Sequence, residues 1–182
     1  MTISKIFKKE GFTLVETLVA ISILLIAVVG PISIIGDALH RLYYARDEMI
    51  AISLAQEGIE AVRQYRDSNM LAGTPWDMSG ITDVYYTVDV SDLLNQPTLT
   101  LADPCVGTCP DSGMPVFIGP SGFYQQTGGT PTQFSRIVRT NTGWVNDGVV
   151  FRELYVESTV TWKTGGQDGR VTVYADIFNW SP

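Results

Sequence analysis

From Gly11 to Gly36 the chain carries one ionisable side chain, Glu16, inside a predominantly apolar run that extends from Leu14 to Ile35. As a helix these 22 residues would cover about 33 Å at ~1.5 Å per residue, close to the ~30 Å hydrocarbon core of a bilayer. An acid at the centre of such a span costs on the order of 2.5–3.5 kcal/mol, and less near the interface, so Glu16 calls for a role and a partner. Lys5, Lys8 and Lys9 stand before the run, whereas its far side opens with Gly36-Asp37. That asymmetry places the N-terminus in the cytoplasm and the bulk of the chain outside.

Residues Lys8-Lys9-Glu10-Gly11-Phe12-Thr13-Leu14-Val15-Glu16, continued by Thr17-Leu18-Val19-Ala20-Ile21, resemble the leader and first helix of the type IV pilin and pseudopilin superfamily. The resemblance implies cleavage after Gly11 by a prepilin peptidase and N-methylation of the new terminus at Phe12. It also implies that the freed amine pairs with Glu16, in the same or a neighbouring subunit, during filament assembly. A secretory signal is cut after its apolar region, next to small residues. Here the cut falls before it, so the apolar helix stays on the mature protein. The fold implied is α+β and pilin-like, a long N-terminal helix packed on a C-terminal antiparallel sheet. Its partners would be the prepilin peptidase/methyltransferase, other pilin-like subunits, the membrane and an inner-membrane assembly platform.

The chain divides on this reading into a cleaved leader (1–11), a transmembrane and assembly helix (12–36), an amphipathic continuation (37–67) and a β-rich outer domain (68–182). Loss of residues 1–11 removes three lysines and one glutamate, taking the net charge from -7 to -9 (-7 - 3 + 1). An acidic mature chain is not expected to bind nucleic acid. Within the span, Gly30-Pro31 removes one backbone donor and predicts a kink. The bend is either tolerated by lipid or, as in the superfamily, a weak point where the helix loosens in a filament.

After the span, Ala38, Leu42, Ala45, Met49, Ile52, Ala55, Ile59 and Val62 recur at steps of three and four, the spacing of one helical face. The helix is expected to reach about Arg66, to end at Asp67-Ser68-Asn69, and to set Ile52, Ile59 and Val62 under the sheet. If continuous from Leu14, it would be about 80 Å long. Beyond Gly73 the period changes to two. Val84–Val90, Leu154–Lys163 and Val171–Ile177 alternate as half-buried strands, with Gly165-Gly166-Gln167-Asp168-Gly169 as the turn of the last hairpin. A strand is expected from Phe134 to Thr140 and another from Phe117 to Tyr124, broken at Gly119-Pro120. The rest of Leu93–Gly129 reads as loop.

Candidate chemistry in the outer domain is sparse. The only histidine, His40, lies just beyond the span, so a Ser/His/Asp or Cys/His arrangement there has no base, and catalysis is not expected. Cys105 and Cys109 are the only cysteines. They suit a loop-closing disulfide in an oxidising compartment better than a zinc site, which needs two more ligands. Asp103, Asp111 and Asp147 offer oxygens to calcium without a loop signature; no cofactor or metal is expected. The expected product is a minor pilin or pseudopilin, since many major pilins close a C-terminal loop with a wide disulfide that these cysteines could not form. The alternative is a single-pass anchored binding protein that never polymerises, for which Glu16 and the Gly11-Phe12 junction would have no use.

Overall fold

Helix α1 runs from Leu14 to Leu71 in the computed structural model of the chain, which describes residues 11, 13–74, 84–89, 98–101, 113–143 and 153–178. Thr13 caps its start, with Oγ1 accepting from the Glu16 amide at 3.2 Å, which satisfies one of the four unpaired first-turn donors. The helix passes beyond the expected stop at Arg66. Ser68 turns its hydroxyl back onto the Gln64 carbonyl at 2.8 Å, so this nominal breaker is accommodated inside the helix. The true stop is Gly73, whose φ of 67° permits a Schellman closure: Thr74 N donates to Asn69 O and Gly73 N to Met70 O.

The chain forms two compact units, Met1–Leu42 and Tyr43–Pro182. In the first unit, the described part of the helix buries nothing. The second contains a seven-stranded antiparallel sheet built from β1 (Val84–Asp89), β2 (Thr98–Leu101), β3 (Met114–Ile118), β4 (Tyr124–Gln125), β5 (Thr130–Gly143), β6 (Glu153–Thr164) and β7 (Gln167–Phe178). β5 is its axis. One edge of β5 pairs with β6, which pairs with β7. The other edge pairs with β3 along its first half and β1 along its second, and β4 and β2 lie beyond these. The fold is therefore α+β, the helix packed against an antiparallel sheet.

Alternation decides which residues meet the helix. Leu154, Val156, Ser158, Val160 and Trp162 of β6, with Phe134, Val138 and Thr140 of β5, are buried. They close over Ala51, Leu54, Ala55, Ile59, Ala61 and Val62 of α1 in two adjoining apolar clusters. Fully burying each Leu or Val there contributes about 1.5–3 kcal/mol. The contact face differs from the expected stripe: Ile59 and Val62 are buried, Ile52 only partly, and Leu42 and Met49 are exposed. Small side chains account for the shift. A Cβ on Gly58 would lie 2.5 Å from Ser158 Oγ and 2.9 Å from Val138 Cγ2, so the face that carries Gly58 is the one that approaches the sheet.

The loop-rich stretch also holds more structure than expected, since β2, β3 and β4 all fall inside 93–129. The break at Gly119-Pro120 is present as the turn between β3 and β4. β5 extends the expected Phe134–Thr140 strand at both ends. The β6–β7 turn is only Gly165-Gly166, with φ of 54° and 96°, as a two-residue hairpin loop of right-twisted strands requires. Gln167-Asp168-Gly169 belongs to β7 instead. Gly169 faces Trp162 in the ladder, and its missing side chain leaves the space that the indole fills.

Candidate assembly site

Two of the expected site residues, Gly11 and Glu16, lie around the start of α1. Gly11 is exposed and outside the helix, Thr13 is the cap, and Glu16 lies in the first turn, where a carboxylate favours the positive end of the helix dipole. Phe12 lies outside the described residues. Glu16 is exposed, and among the described residues its carboxylate has no hydrogen-bond or ion-pair partner. The other polar groups here are satisfied locally: Thr17 Oγ1 donates to Leu14 O at 2.9 Å and Ser22 Oγ to Leu18 O at 2.8 Å. Glu16 is thus the one polar group of the described stretch through Ser22 whose need points away from its own helix.

The large apolar side chains from Leu14 to Ile35 all stand exposed, with Leu14 at 79% and Ile26 at 76%. At roughly 1.5–3 kcal/mol forgone for each, the run withholds tens of kcal/mol. That exceeds the ~5–15 kcal/mol by which a domain is ordinarily stable, so such a surface implies surroundings other than water. Gly30 and Pro31 lie within the helix, which is continuous through them, and a Cβ on Gly30 would meet nothing within 4 Å. Cys105 and Cys109, like Asp103, Asp111 and Asp147, lie outside the described residues. His40 is exposed on α1.

A second cluster lies outside the residues that the sequence singles out. Arg136, fully buried on the helix-facing side of β5, reaches α1, β1 and the segment that follows β4. Its NH1 donates to Leu54 O and to Glu57 Oε1, both at 3.1 Å, its NH2 to Val88 O at 2.7 Å, and its Nε to Gln126 Oε1 at 3.1 Å. Gln126 also accepts from Val88 N at 2.9 Å and donates to Arg136 O at 3.0 Å. Burial pulls the Arg136 pKa below its ordinary value, and Glu57, then Asp89, oppose that shift. The guanidinium is spent on four partners and is fully buried, so it serves as a clamp between α1 and the sheet. The signal was parity: in the alternation Phe134, Arg136, Val138, Thr140, the arginine occupies a core position. A second tie runs from Thr164 Oγ1, at the end of β6, to Asp47 Oδ2 of α1 at 2.6 Å.

Fold and site together define a protein with a sheet domain on the second half of a long helix and an unburied apolar first half. That helix is long and apolar enough to cross a membrane. Residues 6–30 match the family model of the prokaryotic N-terminal methylation motif. The chain therefore carries the prepilin-type motif that marks type IV pilin-like and pseudopilin-like proteins. No curated protein and no solved structure matches the chain.

Proposed function

We propose that the chain is a structural subunit, a minor pilin or pseudopilin, of a type IV pilus-like or type II secretion-like filament. One observation carries the reading: an exposed apolar helix presents a carboxylate, Glu16, that has no partner among the described residues of its own chain. The precursor waits in the cytoplasmic membrane with its lysine-rich end inside. Prepilin peptidase cuts after Gly11, Phe12 is methylated, and the new amine meets Glu16 as the helix leaves lipid for the filament core. The apolar surface that lipid covered is then covered by neighbouring helices. In low dielectric the amine–carboxylate contact favours one axial register, although its net stability is modest once both groups are desolvated.

The geometry around the junction suits this sequence of events. Gly11 precedes the Thr13 cap and lies outside the helix. Gly11→Trp is expected to abolish processing. Glu16→Ala is expected to be processed and inserted as before but to enter sheared filaments several-fold less. Normal incorporation of the Glu16→Ala chain would remove the pairing role.

A further inference from the structure

The edges of the sheet are unequal. β2 and β4 are short, four and two residues, which is one way a protein keeps a sheet edge from recruiting other strands. β7 has twelve residues, pairs as a strand among the described residues with β6 alone, and keeps an unbroken register from Gln167 to Phe178; α1 reaches it at its last carbonyl, where Arg66 NH1 donates to Phe178 O at 3.1 Å. It has no proline, no lysine and no bulge, three of the usual protections of an open edge; its charged residues are Asp168, Arg170 and Asp176. On its helix-facing side Val171, Val173 and Ala175 are only partly buried, so the core is not closed there. On the opposite side Arg170 and Asp176 are exposed and without an ion-pair partner among the described residues.

We infer that β7 is a self-association edge, pairing antiparallel with β7 of a second copy of this chain about a two-fold axis through Val173. Three considerations select that register. Facing residues of an antiparallel pair share a side of the sheet, so only registers that match odd with odd positions keep the two helix-facing sides together. Among these, pairing Val173 with itself uses the strand from Asp168 to Phe178 and sets Arg170 opposite Asp176 twice, by symmetry. A shift of two residues in one direction opposes Asp168 to Asp176; the other leaves Arg170 against Phe178. Like charges directly opposite destabilise a strand pair and unlike charges stabilise it. The selected register also places Val171 opposite Ala175 and Val173 opposite Val173, continuing the apolar side across the joint. Such an interface is closed and isologous, and it does not rest on the filament reading.

The test uses the full chain purified in detergent, its mass followed by sedimentation over a range of concentrations. Arg170→Asp and Asp176→Arg are each expected to weaken the dimer on the order of tenfold, because each places like charges at two positions. The combined Arg170→Asp/Asp176→Arg chain restores the pairs with their signs exchanged and is expected to recover wild-type affinity. Association through the apolar helix would ignore all three changes. A monomeric wild-type chain, single variants that associate as well as wild type, or a combined variant that stays weak while unfolding at the wild-type midpoint would each overturn the inference.

Discussion

The two halves of α1 follow one hydrogen-bonding rule and opposite packing rules. From Leu14 to Ile35 the large apolar side chains are exposed, and a methyl group added at Gly30 or Gly36 would meet nothing within 4 Å. From Ala51 to Val62 the helix is lined with alanine, glycine and a few branched residues, set so close to β5 and β6 that Gly58 has no room for a methyl group. The first half is richer in large apolar residues yet buries none of them, and the second is poorer yet builds the core. Hydrophobicity alone therefore does not say where a helix is buried. What distinguishes the halves is whether the surface is shaped to fit a sheet of its own chain or is left for lipid and other helices.

The contrast can be broken most sharply at Arg136. Arg136→Met removes the only buried cation among the described residues and leaves Glu57 and the carbonyls of Leu54 and Val88 short of a donor. Loss of one partner of a buried pair costs about 3–5 kcal/mol. Because Glu57 is one-third exposed, the lower figure is expected, read as a shift in denaturant midpoint. Arg136→Lys keeps the charge but not the fork and should fall between wild type and Arg136→Met.

A smaller effect separates the halves directly. Gly58→Ala gains up to about 1 kcal/mol of helix propensity but forces Ser158 and Val138 aside, at about 1–3 kcal/mol, so a net loss of about 1 kcal/mol is expected in the same unfolding measurement. Gly36→Ala, with open space around it, should leave the unfolding of the sheet domain within about 0.5 kcal/mol of wild type. Equal losses at the two glycines would erase the distinction drawn between the halves.

The N-terminal half was legible because its signals are local: an apolar run, a lone acid, flanking lysines and the Gly11-Phe12 junction. The long strands were legible for the same reason, since alternation needs only neighbours. Where reading failed, the deciding partner lay far away in sequence. Met49 fits the helical spacing as well as Ala55 does, and only contact with β5 and β6 shows that the buried face is centred on Leu54, Ala55 and Gly58. Arg136 and Gln126 look like ordinary polar residues until β1, β5 and α1 converge on them. The end of α1 differs from the expected one for a local reason: a serine that can bond back to residue i−4 stops a helix less firmly than a glycine with positive φ.

The central claim is that the chain is cut before its apolar helix and retains that helix. N-terminal sequencing with intact-mass measurement of the mature protein tests this most directly. The expected product begins at N-methylated Phe12, lacks residues 1–11 and keeps the run from Leu14 to Ile35. A mature chain that still begins at Met1, or one cut beyond Ile35, would contradict the account.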